Sequence, residues 1–247
     1  MIPFIQKFVP FKFNLKLFIQ LSLGFISFTI IGTLSHEFGH YLSYRINHQE
    51  ARIAYAYTVS ETESPESLQL REIYKKRSEE IKNHQPFPEK EEYFNTLNIY
   101  KTQTLMNMMG GPIQTLGTSL IAFILILIFY HRFKKQETLN FASFLLVFFS
   151  LFSLRQVSNF TFILIAIMVK GKYAHHDDES RINDALNLPP LSLHIVTSLI
   201  GIGILSFIIL KIIPLQQRFT FILSGIFGGV LGYLIWLEWL GPKLLPL

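Results

Sequence analysis

Apolar residues are concentrated in five long segments of the chain, and polar stretches separate them. The segments cover residues 15–35, 103–130, 139–170, 191–213 and 219–240, and the helix of the first segment is expected to continue to Arg45. A helix needs about 20 apolar residues to cross the hydrocarbon core of a bilayer, whereas a membrane β-barrel shows alternating segments of about ten residues. The pattern therefore predicts an all-α, polytopic transmembrane helical bundle with about five spans.

The third apolar segment is longer than one straight crossing requires, and it contains a polar patch near its middle. The patch consists of Arg155, Gln156, Ser158 and Asn159. A division of the segment at this patch would leave pieces of about 16 and about 14 residues, both shorter than a helical crossing. We therefore predict one long helix, tilted or kinked, whose polar patch faces the other helices.

Residues 47–98 form a small polar insert between the first two predicted spans, and they contain no glycine. Ser64 followed by Pro65 is a typical helix start, with proline at the first helical position. We predict a charged helix over residues 65–84 and a second short helix that begins near Glu89 and leads into the second span. The insert is expected to be a surface cap over the membrane part or a gate for substrate access.

The chain accordingly divides into three parts. Residues 1–46 form an interfacial anchor, in which phenylalanines alternate with lysines, followed by the first span. Residues 47–98 are the helical insert. Residues 99–247 hold the remaining spans and a polar loop at 171–190.

The composition is typical of a membrane protein and argues against binding to nucleic acid. Half of the residues are hydrophobic, and the mean hydropathy is +0.35. The net charge is +5, but the basic residues are dispersed. The basic run at residues 75–77, for example, is followed by Glu79 and Glu80, as on a solvated helix face. The chain has no cysteine, so its metal ligands have to be nitrogen or oxygen atoms.

The segment His36-Glu37-Phe38-Gly39-His40 ends the first apolar run. On a helix, the H-E-x-x-H spacing places two imidazoles one turn apart on the same face, where both can bind one metal ion. The glutamate then lies close enough to take a proton from a water molecule that the metal activates. Ionisable residues at membrane depth are costly and usually functional. We therefore predict His36 and His40 as zinc ligands and Glu37 as the catalytic base.

A catalytic zinc ion usually has three protein ligands, and the third is expected in the polar loop before the fourth span. The run from Tyr173 to Glu179 contains five potential ligands. With residues 139–170 as a single span, this loop and the end of the first span fall on the same side of the bilayer. The candidates are Asp178, Asp177 and His176, with His194 as a further alternative that is more readily explained as a core histidine.

Gly110, Gly111 and Pro112 lie near the start of the second span. Such a sequence inside a membrane segment either loosens the helix and frees backbone groups, or allows close contact with another helix. Near a metal centre, freed backbone groups at Gly111 and Pro112 could pair with an extended substrate strand. Gln114 is a candidate donor to the developing oxyanion, and Asn159 is a candidate contact to substrate carbonyls.

Taken together, these motifs resemble the site-2 proteases, a family of intramembrane zinc metalloproteases. The resemblance rests on HEFGH at the end of a span, a Gly-Pro motif in the next, and a late aspartate, within residues 20–46, 105–125 and 174–182. In that family two histidines and an aspartate bind zinc, and the glutamate activates the water. The resemblance implies these roles for His36, His40, Asp178 and Glu37. The family's Gly-Pro motif usually continues to an asparagine, where this chain has Thr115.

The sequence thus predicts a multi-pass integral membrane protein that hydrolyses peptide bonds of membrane-embedded protein substrates, with Zn²⁺ as its cofactor. The expected partners are transmembrane protein substrates and the lipid bilayer, and not nucleic acid. Two other classes stay open, namely a membrane protein that binds metal without turnover and a metal-ion transporter. A transporter is expected to carry further ionisable residues along several spans, and this chain has few.

Overall fold

Five helical stretches of the protein are long and apolar enough to cross a membrane, judged by length and composition. They are Leu15–Ile46, Lys90–Ile128, Phe141–Lys170, Ser192–Ile212 and Leu215–Leu244. The computed structural model describes residues 8–171, 173 and 177–246, so the first seven residues of the predicted interfacial anchor lie outside it. The prediction of an all-α helical bundle with five spans is confirmed.

The elements are numbered along the chain. The helices are α1 (Leu15–Ile46), α2 (Pro65–Lys82), α3 (Lys90–Ile128), α4 (Tyr130–Lys134), α5 (Phe141–Ser150), α6 (Leu154–Lys170), α7 (Asp178–Ala185), α8 (Ser192–Phe207), α9 (Arg218–Tyr233) and α10 (Gly241–Leu244). Short 3-10 turns occupy Leu151–Ser153 and Leu215–Gln217, and π-helical turns occupy Ile208–Ile212 and Leu234–Leu240. The strands β1 (Ala51–Ile53) and β2 (Thr58–Ser60) pair antiparallel in the insert.

Helix α1 packs along both α3 and α9. Aromatic rings fill the space around it. The ring centroid of Phe25 on α1 lies 4.9 Å from that of Phe148 on α5 and 5.4 Å from that of Phe221 on α9. Each ring pair meets edge to face, which is a favourable arrangement of aromatic quadrupoles. The HEFGH motif is therefore carried by the helix with neighbours on several sides.

The third span bends at its centre instead of dividing into two. Helices α5 and α6 are joined by the 3-10 turn, and Ser119 of α3 donates a hydrogen bond to the carbonyl oxygen of Ser150 at the bend. A serine from a neighbouring helix thus satisfies a backbone group where the helix geometry changes. The polar patch faces the bundle as predicted, except for Ser158, which is exposed.

The helices of the insert agree with the expectation only in part. The charged helix predicted over residues 65–84 is α2, and Ser64 caps its start. The second short helix is not a separate element, which corrects the prediction. Helix α3 begins at Lys90 and runs without a break through the second span, because no glycine or proline follows Pro88 until Gly110.

The hairpin in the insert was not predicted, and its position depends on residues far away in the chain. It packs against α1, and Nε1 of Trp236 donates a hydrogen bond of 2.8 Å to the carbonyl oxygen of Tyr55 in the turn. The N–H of Tyr55 donates to the carbonyl oxygen of Leu245 at 3.0 Å. The C-terminal segment therefore fixes the hairpin beside the end of α1.

The Gly110-Gly111-Pro112 sequence does not break α3, which continues through it to Ile128. Gly39 of α1 and Gly110 lie face to face, so a Cβ atom at either position would collide with the backbone carbonyl of the other. Small residues of this kind allow two membrane helices to approach closely. The glycines therefore serve close helix contact, which is one of the two expected roles. Pro112 lacks an N–H, so the carbonyl of Met108 is still left without its usual helical donor.

Candidate metal centre

The HEFGH motif lies near the C-terminal end of α1, where its histidines turn toward α3. His36 is 1% exposed, Glu37 is 3% exposed, and His40 is also buried. The Nε2 atoms of the two imidazoles are 3.2 Å apart. The one-turn spacing of the motif therefore brings the two rings together on one helix face.

Asp178 joins the two histidines from a distant part of the chain. It is the first residue of α7, and Asp177 caps this helix by accepting a hydrogen bond of 2.8 Å from the N–H of Ser180. Oδ2 of Asp178 lies 2.9 Å from Nε2 of His36 and 3.2 Å from Nε2 of His40. The three side chains form a group that could hold a metal ion.

The hydrogen bonds of His40 indicate which of its ring nitrogens faces Asp178. Nδ1 of His40 lies 2.7 Å from the carbonyl oxygen of Asn107, and a carbonyl oxygen only accepts hydrogen bonds. In a neutral imidazole the proton is thereby assigned to Nδ1, and the lone pair of Nε2 points toward His36 and Asp178. Electron-rich atoms converge in this way where a cation binds between them. A donor set of two imidazoles and one carboxylate fits Zn²⁺.

Gly111 leaves room beside the two imidazoles. A Cβ atom at this position would collide with the Nε2 atoms of both His36 and His40. The absence of a side chain therefore keeps free the space next to the ligand atoms. Gly111 was predicted as a substrate contact, and the structure places it against the candidate metal ligands.

Two residues that the sequence analysis did not assign hold the imidazoles in place. Oγ1 of Thr115 lies 2.9 Å from Nδ1 of His36, and the carbonyl of Asn107 contacts Nδ1 of His40. A metal-binding histidine is usually fixed by such a contact on its other ring nitrogen. Asn107, Gly111 and Thr115 are spaced by four residues on α3 and share one helix face. This spacing is the signal that could have identified them.

Glu37 is held by polar groups from two other elements. Oγ1 of Thr58 on β2 lies 2.7 Å from the carbonyl oxygen of Glu37 and 3.2 Å from its Oε2. Its other carboxylate oxygen, Oε1, lies 3.8 Å from Nη2 of Arg155 on α6. The candidate catalytic base is thus positioned by the hairpin and by the polar patch of the third span.

A cavity of about 660 Å³ lies beside the candidate metal ligands. Its wall includes Glu37, His40 and Asp178, together with Arg155 and Asn159 of the polar patch. Residues of the insert form another part of the wall, including 56–58 and 60–64. The insert therefore forms part of the wall of this cavity.

The structure places Gln114 away from the cavity, although it was predicted as an oxyanion donor. Its Nε2 donates to Oγ of Ser35 and to Oγ1 of Thr118, the latter at 3.0 Å. Adjacent helical residues point about 100° apart, so Thr115 faces His36 while Gln114 faces a different part of α1. The predicted oxyanion contact is corrected accordingly.

Of the remaining residues predicted from the sequence, some lie where their predicted role requires and others do not. Asn159 lines the cavity as expected, but its Nδ2 also donates to Oε2 of Glu179 at 3.2 Å. Pro112 is buried within the continuous helix and is not part of the cavity wall. Asp177, an alternative third ligand, contacts His194 instead of the HEFGH histidines. His176, the other alternative, lies outside the described residues.

Three consecutive acidic residues at the start of α7 have different electrostatic surroundings. Burial raises the pKa of the Asp178 carboxyl, but the contacts with the two imidazoles outweigh it and hold the pKa well below its usual range. Burial also raises the pKa of Asp177, and hydrogen bonds with His194 and Ser180 again produce a net lowering. The pKa of Glu179 is raised by burial and by the neighbouring charge of Asp177.

The fold and the site define a class of protein, a bundle with five helices of membrane-spanning length and a buried His/Asp group that could hold a metal ion. Comparisons of the chain with models of protein families, with curated proteins and with solved structures find no match. The resemblance to site-2 proteases therefore rests on motif residues of the sequence alone, and no comparison identifies that family.

Proposed function

We propose that the protein is an intramembrane zinc endopeptidase that cleaves membrane-embedded protein substrates, in line with its resemblance to site-2 proteases. One observation carries this proposal. The carboxylate of Glu37 lies in the wall of a cavity that also contains His40 and Asp178, two members of the candidate metal group. Hydrolytic metal sites have an acid–base residue beside the ligands, and purely structural sites do not require one.

In this proposal His36, His40 and Asp178 hold the zinc ion. When bound, zinc polarises a substrate carbonyl and lowers the pKa of water to near neutrality. Three protein ligands leave one position open for chemistry, whereas structural zinc sites have four. Thr115 and Asn107 keep the two imidazoles in the orientation that binding requires.

Glu37 acts as the proton carrier of the reaction. It takes a proton from the attacking water and delivers a proton to the nitrogen of the leaving amine. Thr58 and Arg155 are the polar neighbours of its two carboxylate oxygens. Nε of Arg155 is buried and has no hydrogen-bond partner among the described residues.

The position of the site among the helices defines the kind of substrate. A helix hides its carbonyl groups in hydrogen bonds, so a membrane-embedded substrate has to unwind locally before it is cut. The polar cavity beside Glu37 offers such a segment a wet environment, and the insert forms part of its wall. We expect single-span membrane proteins that approach from the lipid side.

The test compares wild-type protein with the Glu37→Gln variant, both purified and reconstituted in lipid vesicles. The probe is the total membrane-protein fraction of the expression host, and new chain termini are identified by mass spectrometry. We expect wild-type protein to cut within membrane segments and Glu37→Gln to retain zinc without cutting. Glu238→Gln serves as the control, because Glu238 is an exposed glutamate on the last candidate span, outside the cavity wall.

The same experiment separates the proposed protease from the two alternatives. Zinc retention by wild-type protein without any cleavage would favour a metal-binding protein without turnover. Zinc flux into sealed vesicles, again without cleavage, would favour a transporter. Cleavage by Glu37→Gln at the wild-type rate would contradict the role of this glutamate.

A further inference from the structure

A second group of potential ligands lies directly behind Asp178. Asp177 and Glu179 flank that residue in the chain, and both carboxylates approach His194 on the first turn of α8. Nε2 of His194 lies 3.0 Å from Oδ2 and 3.2 Å from Oδ1 of Asp177. One ligand atom from each of the three residues lies within 4.8 Å of the others. His194 is 0% exposed and Glu179 is 2% exposed.

The carboxylate of Glu179 has few hydrogen-bond partners and no positively charged partner among the described residues. Oε2 accepts one hydrogen bond, from Asn159, whereas Oε1 is buried and has no hydrogen-bond partner among the described residues. Among the residues that the structure describes, no lysine or arginine forms an ion pair with Glu179 or with the neighbouring Asp177. In its ionised form Glu179 would cost several kcal/mol at this position, and the second carboxylate nearby would add repulsion, so this group has either to carry a proton or to bind a cation.

A purely structural role explains only part of this arrangement. A hydrogen bond between Asp177 and His194 would by itself anchor the start of α7 to α8, and Asp177 also caps α7. Such an anchor does not supply a partner for Oε1 of Glu179, which is buried beside it. A divalent cation would bind that oxygen and balance both carboxylates in one step.

We propose that Asp177, Glu179 and His194 form a second divalent-cation site, separate from the His36–His40–Asp178 group. Two carboxylate oxygens and one imidazole nitrogen suit Zn²⁺ or Mn²⁺, and the absence of cysteine makes a thiolate site impossible. The charge of the cation equals that of the two carboxylates, so the assembly is neutral at a buried position. Asp177 and Asn159 also line the cavity, which gives the ion a polar route to the site.

The second cation would connect the two metal groups through α7. It ties Asp177, which caps this helix, and Glu179 of its first turn to α8, and Asp178 lies between them in the chain. Asp178 is thereby held against the HEFGH histidines, which come from a different part of the bundle. Loss of the second cation should consequently weaken metal binding at the first group, without a direct contact to its ion.

The test is metal stoichiometry of the full chain in detergent, measured by elemental analysis. The protein is stripped with a chelator, loaded with excess ZnCl₂ or MnCl₂, and washed. We expect two equivalents in wild-type protein, one in Glu179→Gln, one in His40→Gln and none in the double variant. Asp184→Asn is the matched control, because it removes an exposed aspartate of the same short helix, and it should retain two equivalents.

His194→Gln provides a second variant if Glu179→Gln does not fold, since a glutamine can still donate a hydrogen bond to Asp177. Folding of each variant is checked by gel filtration and thermal unfolding. Two results would overturn the second site. The first is one bound metal ion per chain in wild-type protein that is lost in His40→Gln. The second is two bound metal ions per chain in both Glu179→Gln and His194→Gln. Stoichiometry does not depend on catalysis, so two bound ions without cleavage would contradict the proposed protease and leave the second site intact.

Discussion

The carbonyl oxygen of Asn107 lies 2.7 Å from Nδ1 of His40 and thereby orients this imidazole toward Asp178. The contact depends on the backbone of α3, which approaches α1 closely enough because Gly39 and Gly110 lie face to face. On the same face of α3, Thr115 performs the corresponding role for His36. The second candidate span therefore determines the geometry of ligands that the first span carries.

Removal of the Thr115 hydroxyl should weaken metal binding without unfolding the protein. We expect Thr115→Val, a change of similar shape, to lower zinc affinity by about 10-fold to 100-fold, because Nδ1 of His36 loses its partner. Thr118→Val is the control, since the Thr118 hydroxyl contacts Gln114 and not a histidine. Competition with a chelator of known zinc affinity measures the change. Equal affinity in the two variants would contradict the orienting role of Thr115.

A methyl group at Gly111 should displace the metal. Its Cβ would collide with the Nε2 atoms of both histidines, so we expect Gly111→Ala to lose zinc from the His36–His40–Asp178 group. Gly117→Ala is the matched control on the same helix, because nothing lies within 4 Å of a Cβ at that position. The control should retain zinc and gain up to about 1 kcal/mol of stability from helix propensity. Full occupancy of that group in Gly111→Ala would count against the assigned metal position.

Much of the fold follows from local properties of the chain. Five spans are predictable because each consists of contiguous apolar residues, and the bend of the third span follows from its length and its polar patch. The hairpin is not predictable in this way, because its strands have three residues each and its turn is held by Trp236 and the C-terminal segment. A span follows from the apolar composition of one contiguous segment, whereas the hairpin depends on contacts between residues that are distant in the chain.

The site residues also differ in how far the sequence alone predicts them. Those set by spacing within one helix are predictable, whereas those set by packing between helices are not. The spacing of His36 and His40 is sufficient to place both rings on one face. The neighbours on α3 depend on the rotation of that helix against α1, which hydropathy does not specify. Gln114 was therefore chosen as a site residue, whereas Thr115, one position further, is the residue that contacts His36.

The close approach of α1 and α3 should be sensitive to one added methyl group. We expect Gly110→Ala to lower the free energy of unfolding by about 1 to 3 kcal/mol, because its Cβ would meet the backbone carbonyl of Gly39. Gly203→Ala on α8 is the control, since a Cβ there meets nothing within 4 Å. Unfolding in mixed micelles, followed by circular dichroism, measures the difference. Two equally stable variants would show that the glycine contact does not limit helix packing.

The hairpin should control the activity of Glu37 without affecting the metal. The Thr58 hydroxyl lies 3.2 Å from Oε2 of Glu37 and 2.7 Å from its carbonyl oxygen. We expect Thr58→Val to lower kcat about tenfold, the equivalent of one lost hydrogen bond of about 1.4 kcal/mol, because the carboxylate is held less firmly. Zinc content should remain unchanged, since Thr58 is not a member of the candidate metal group.

Two further variants distinguish this positioning effect from general damage to the insert. Thr58→Ser keeps the hydroxyl and should restore most of the activity. Thr102→Val removes an exposed hydroxyl on α3 that donates only to the carbonyl oxygen of Asn98, and it should behave as wild type. Cleavage rates are measured on the membrane substrate that the vesicle experiment identifies. If Thr58→Val cleaves as fast as Thr58→Ser, or if it loses zinc, the hairpin does not act on the reaction through Glu37.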